Sequence, residues 1–176
     1  GDMGLVVAVV CSGLYPSVAR VEDPPAVSKG PPKPPKLMIR AFADEKKVEE
    51  LVQIHPCSVN FSTTKFRTRW LVFHEKVQTS AVFLRDTTPV TPYTLLLFGG
   101  NIQVAHNTGV VTIDKWIAFA AQARIAVLFK ELRVKLDRLL ADKIKQPELD
   151  LWEDGKPVVD AIVQLLATEK IEARDN

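Results

Sequence analysis

The sequence predicts a mainly β fold with α-helices: a small β-barrel preceded by a short helix and followed by C-terminal helices. Three observations lead there. From Leu37 to Phe119 apolar residues recur mostly at every second position, the strand period. From Ile125 onward they recur three and four apart, the helical period. Ahead of both, one short helical repeat ends close to a proline.

That first repeat is Leu5, Val6, Val9 and Val10, with Gly13 placed as a C-cap and Pro16 blocking continuation. Val18 to Val21 starts an extended segment. Asp23 to Lys36 holds six of the twelve prolines, with Gly30, Ser28 and three lysines, and reads as a flexible, polyproline-like loop. Strands are expected at Leu37–Phe42, Leu51–His55, Trp70–Val77 and Ala81–Arg85, the last two joined by Gln78-Thr79-Ser80. Thr91-Pro92 starts a short helix through Leu95, Leu96 and Leu97 that stops at Gly99-Gly100. Ile102–Val104 and Val110–Ile113 form a hairpin across His106-Asn107-Thr108-Gly109, and Trp116–Phe119 closes the β run. A long helix carries the stripe Ile125, Leu128, Phe129, Leu132, Leu136, Leu139, Leu140 and Ile144 and ends before Pro147. A last helix runs from Pro157 to Ile171. Short strands interrupted by one helix suit an OB-fold, a five-stranded, partly open barrel. The expected domains are an entry helix at 1–16, the barrel at 17–120 and a helical extension at 121–176.

Composition excludes more than it assigns. The 176 residues are 47% hydrophobic and 25% charged, ordinary for a globular protein. With 23 Lys and Arg against 21 Asp and Glu, the net charge of +2 lacks the strong basic footprint of many nucleic-acid binders. Two cysteines, Cys11 and Cys57, make neither a disulfide framework nor a four-ligand zinc site, and read as packed thiols of an intracellular protein. No apolar run has the length of a membrane span. Gly1-Asp2-Met3-Gly4-Leu5 lacks a basic n-region and starts abruptly inside a helix, as a piece of a longer protein would.

Catalytic patterns fail one by one. His74-Glu75-Lys76-Val77-Gln78 has Gln78 where a zinc-protease helix needs histidine. His55-Pro56-Cys57-Ser58 offers a thiol near an imidazole but no third orienting group. Gly99-Gly100 lacks phosphate-loop spacing, and no Gly-Lys-Thr loop or acidic Walker B box occurs. No catalytic residue, metal ligand or cofactor is assigned. The remaining polar signal is His55, Ser58, Asn60, His74, Lys76, Thr79, Ser80 and Arg85, clustered on two or three strands and their edges. Hydroxyls, imidazoles and a few cations at strand edges suit phosphates, sugars and splayed bases. A solvated strand face is the competing reading. The cations of the long helix, Arg124, Lys130, Arg133, Lys135, Arg138, Lys143 and Lys145, fit an amphipathic surface with Glu131–Lys135 as an i,i+4 pair.

A resemblance adds to this. Cys11-Ser12-Gly13-Leu14-Tyr15-Pro16-Ser17-Val18-Ala19-Arg20 resembles the entry to the C-terminal OB-fold of DEAH-box helicases. Ile54-His55-Pro56-Cys57-Ser58-Val59-Asn60 resembles the family's I-H-P-S-S-V-N, with Cys57 replacing a serine. Trp70 through Val77, Thr79-Ser80, Leu84-Arg85-Asp86, Pro92-Tyr93, Leu97-Phe98-Gly99-Gly100 and Leu132-Arg133 match further family segments in order. The details resemble the RNA helicase A branch, which includes G-quadruplex-resolving and double-stranded-RNA-binding-domain types. The resemblance implies an accessory domain of an ATP-dependent helicase moving 3′ to 5′ on single-stranded RNA, with ATP and Mg used elsewhere in the parent. Its implied partners are single-stranded RNA, structured RNA or DNA, and RecA-like domains of the same chain. It implies a monomer of the nucleus or cytoplasm, away from membranes. The alternative is an interaction module that docks the motor or a glycine-rich activator peptide.

Overall fold

A computed structural model of the chain describes residues 3–22, 35–43, 46–105 and 109–169. Most of the proline-rich loop, the turn residues 106–108 and the last two residues of the expected final helix, 170 and 171, lie outside the described residues. Helix α1 spans Met3–Leu14. Strands follow at β1 (Val18–Glu22), β2 (Lys36–Ala43), β3 (Lys46–Ile54), β4 (Trp70–Val72), β5 (Glu75–Gln78), β6 (Val82–Arg85) and β7 (Thr88–Val90). Next come α2 (Pro92–Phe98), β8 (Ile102–Ala105), β9 (Val110–Ile113), β10 (Ile117–Ala120), α3 (Ala123–Lys145) and α4 (Lys156–Thr168). Two compact units divide these elements: Gly13–Thr91 holds β1 to β7, and Gly1–Ser12 groups with Pro92–Lys170.

The expected barrel does not form. In the first unit seven strands make one open sheet in the order β5-β6-β3-β2-β1-β4-β7, and β8 to β10 make a separate three-stranded sheet in the other unit. The fold is mixed α/β rather than a mainly β barrel. Both edges of the large sheet carry features that discourage further pairing. On β7, Pro89 opposite Leu71 has no N–H to donate, a residue suited to an edge. On β5, Glu75, Lys76 and Gln78 are exposed, so charge guards the other edge.

The sheet's core follows from alternation. Leu37 and Ile39 of β2, Val52 and Ile54 of β3, Leu71 of β4 and Leu84 of β6 are buried together with Ala19, Val21, Phe66 and Phe73. The strand expected over Trp70–Val77 is two strands. Trp70, Leu71 and Val72 are all buried between β1 and β7, whereas β5 leaves that neighbourhood to pair with β6. The switch occurs at Phe73 and His74, whose N–H groups donate to Ser17 (3.0 Å) and Arg85 (3.4 Å) carbonyls respectively. The Gly13 cap also fails: α1 continues through Gly13 to Leu14, and Gly13 has no left-handed backbone.

In the second unit, α2 buries four consecutive residues, Thr94 to Leu97, so it is covered on every side. Helices α3 and α4 supply much of that cover, with Phe129, Ile162 and Leu166 buried. Arg133 of α3 donates to the carbonyls of Gly99 (2.6 Å) and Gly100 (2.7 Å), satisfying acceptors that follow the end of α2. A Cβ at Gly99 would collide with the Leu95 carbonyl, and one at Gly100 with the Asp114 carboxylate. The two glycines therefore serve packing, and Asp114 uses that space to accept the Asn101 N–H at 2.8 Å.

Candidate nucleic-acid interface

All eight residues singled out in the sequence lie in the sheet unit, on or beside the β5–β6 hairpin. Parallel pairing of β3 with β6 sets Ile54 opposite Leu84, which brings His55 next to Arg85. Antiparallel pairing of β5 with β6 sets Glu75 opposite Arg85 and Lys76 opposite Leu84. Because neighbouring strand residues point to opposite faces, Arg85 and Lys76 lie on opposite faces of the sheet. Sequence spacing alone had grouped them.

On the Arg85 face, the guanidinium donates to Glu75 Oε2 at 3.2 Å, and its Nη2 lies 3.4 Å from His55 Nε2. The His55 ring packs edge-on against Phe83, with centroids 5.7 Å apart. Its Nδ1 accepts the Cys57 N–H at 3.1 Å, and the His55 backbone N–H donates to the Leu84 carbonyl at 2.9 Å. On the other face, Lys76 Nζ pairs with Glu50 at 2.6 Å. These pairs are part-exposed, and such pairs contribute about 1 kcal/mol or less.

Ser58 and Asn60 shape the adjoining turn rather than present free polar groups. Ser58 N–H donates to the His55 carbonyl at 2.8 Å, and its Oγ accepts the Asn60 N–H at 3.4 Å. Asn60 Nδ2 donates to the carbonyl (2.7 Å) and hydroxyl (3.0 Å) of buried Thr87, tying the turn to the segment after β6. His74 is exposed, its Nδ1 4.0 Å from Asp86 Oδ2, an ion pair only when the imidazole is protonated. Thr79 and Ser80 sit at the far tip of the hairpin, where the Thr79 N–H closes the turn on the Ala81 carbonyl at 2.9 Å. Gln78 lies three residue steps along the strand from Glu75, so this tip is roughly 10 Å from the His55–Arg85 contact.

Sequence reasoning missed the carboxylates. Glu75 and Glu50 neutralise Arg85 and Lys76, the two cations that looked available, and Glu49 chelates Arg20 through both oxygens (3.1 and 2.8 Å). Glu75 next to Lys76 was visible, but its pairing with Arg85 required the register. Two exposed apolar residues of the same turn, Val59 and Phe61, were also missed. Among the described residues no group of three or more His, Cys, Asp or Glu could hold a metal ion, and no helix is long and apolar enough to cross a membrane.

Comparison with known proteins now bears on this geometry. Residues 6–102 match the family described as an oligonucleotide/oligosaccharide-binding (OB)-fold, and residues 109–168 match the C-terminal domain in RNA helicases. The human ATP-dependent DNA/RNA helicase DHX36 is 39% identical over 172 residues, covering 94% of this chain and 16% of the relative. The chain belongs to the C-terminal OB-fold region of the DEAH/DExH-box RNA helicases. The mouse ATP-dependent RNA helicase DHX29 is 37% identical over 168 residues, covering 96% of this chain and 11% of the relative. The Arabidopsis thaliana DExH-box ATP-dependent RNA helicase DExH1 is 37% identical over 170 residues, with 96% and 16% covered. The chain thus spans only 11 to 16% of these relatives' length. The regions it matches are the OB-fold and the C-terminal domain of these helicases. Within this member, the large sheet remains open.

Proposed function

We propose that this chain is the RNA-binding accessory region of an ATP-dependent 3′–5′ RNA helicase, lining the path of single-stranded RNA and packing on RecA-like motor domains of the same polypeptide. The observation that carries the reading is the His55–Arg85 contact on an exposed sheet face of the unit that matches the OB-fold family. His74, Thr79 and Ser80 extend the polar surface along the hairpin, and Phe61 offers an exposed ring on which a base can stack. ATP hydrolysis with Mg, and any action on G-quadruplexes or other structured nucleic acid, belong to the parent helicase in this proposal.

The test is a titration of a labelled U-rich strand at several salt concentrations. Few contacts release few counterions, so binding should be weak and fall with salt at a slope of about −0.7 per phosphate contacted. Arg85→Ala should flatten the slope without changing the fold. Undetectable binding at low salt would overturn the proposal.

A second reading, docking on the motor or on a glycine-rich activator peptide, is favoured by one observation. Helix α3 exposes Val127, Leu128, Val134, Leu140 and Ile144. A solvated helix would show fewer large apolar side chains. If RNA fails to bind while isolated motor domains do, this second reading stands.

A further inference from the structure

The His55–Arg85 contact cannot be a hydrogen bond between its two partners. His55 Nδ1 accepts the Cys57 N–H at 3.1 Å, so in the neutral ring the proton sits on Nε2. Nε2–H is then a donor, and it faces Arg85 Nη2, also a donor, at 3.4 Å. Two donors this close share a need for one acceptor between them. Arginine has no acceptor to offer, and the ring's only acceptor is already used.

We infer that His55 Nε2–H and Arg85 Nη2 together bind one non-bridging oxygen of a backbone phosphate, and that Glu75 competes with that phosphate for Arg85. This deepens the RNA-binding reading above and rests on it. Three features prepare the pair. The Cys57 N–H fixes the His55 tautomer, the edge-on Phe83 ring limits the tilt of the imidazole, and the cross-strand register holds Arg85 level with His55. The competitor is equally explicit, since Glu75 Oε2 accepts from Arg85 Nη1 at 3.2 Å, a long bond for a charged pair. A phosphate entering between the donors gains a cation and a neutral N–H but meets the field of that carboxylate. The notch is therefore weak for a lone anion, and suits a phosphate held in place by the rest of a strand.

Cys57 contributes only its backbone N–H, so the serine that the family motif carries there would serve equally. Lys76, on the other sheet face beside Glu50, takes no part in this contact.

The test uses the whole chain, a U-rich single strand and inorganic phosphate. His55→Asn keeps an acceptor where Nδ1 was, preserving the bond to Cys57, and removes the Nε2–H donor. It should weaken strand binding several-fold and leave the salt slope nearly unchanged, because the lost donor is neutral and Arg85 keeps its charge. Glu75→Gln should do the reverse and tighten binding several-fold. Side-chain nitrogen NMR of His55 should show the Nε2–H tautomer and a shift on adding the strand. Inorganic phosphate at the same concentration should leave that signal in place. If the wild type binds the strand but both variants bind unchanged, the notch is wrong and the RNA reading survives. An Nδ1–H tautomer, or an equal response to inorganic phosphate, also overturns the backbone assignment. Absence of any strand binding overturns both.

Discussion

The two units use charge in opposite ways. In the sheet unit, cations are matched to carboxylates on exposed strand faces: Arg20 to Glu22 and Glu49, Lys76 to Glu50, Arg85 to Glu75. In the helical unit, charged groups bond to backbone. Arg133 holds the carbonyls of Gly99 and Gly100, Lys143 holds those of Pro147 (2.7 Å) and Leu149 (2.8 Å), and Asp114 accepts the Asn101 N–H. Exchangeable pairs can hand a cation to an incoming anion at little cost, whereas a cation holding a helix end cannot leave without stranding acceptors. A count of basic residues ranks the long helix as the better nucleic-acid surface. The bonding pattern favours the less basic sheet.

This contrast can be broken by measurement. The reference is Leu71→Ala in the sheet unit, a fully buried residue whose loss should lower stability by about 2–5 kcal/mol in urea unfolding. Arg133→Ala should come next, at about 1.5–3 kcal/mol, because hydrogen bonds to a charged group are lost and two carbonyls are stranded. Arg133→Lys should recover only part of this, since an ammonium cannot copy the guanidinium fork. Lys76→Ala should cost about 1 kcal/mol or less, as a part-exposed pair does. If Lys76→Ala costs as much as Arg133→Ala, the distinction between the units is wrong.

The smallest effect concerns the thiols. Burial pushes the Cys11 thiol from an ordinary 9.0 up to about 12, whereas Cys57 is exposed. Iodoacetamide near pH 8 should label native Cys57 and spare Cys11 until the chain unfolds, as mass spectrometry can read. Because the raised value belongs to the folded state, the unfolded thiol ionises first as pH rises. The Cys11 contribution is therefore complete below pH 9.0 and lost as pH climbs toward about 12. Its removal in Cys11→Ala should lessen the alkaline fall in urea midpoint; an unchanged fall would show that other groups account for it.

Much of the chain was legible before folding because its signals are local. Period two marked β2 and β6, Thr91-Pro92 marked the start of α2, and the three-four stripe with Pro147 marked α3. What failed depended on partners. Thr88-Pro89-Val90 does not read as a strand, since a proline is tolerated there only because β7 is an edge. Trp70–Val77 reads as one strand, since nothing in its composition reveals that its halves pair with different neighbours.

The same division applies to the candidate site. The sequence by itself determined the family, through short ordered motifs, and the inventory of polar residues near His55 and Arg85. Tertiary structure decided that the sheet stays open, because closure depends on which strands become edges. It also decided that Lys76 and Arg85 occupy opposite faces, because a register of one residue reverses a strand's side chains. It gave Arg85 both a rival in Glu75 and a fellow donor in His55 through pairings across 10 and 30 residues of sequence, distances over which side-chain spacing carries no information.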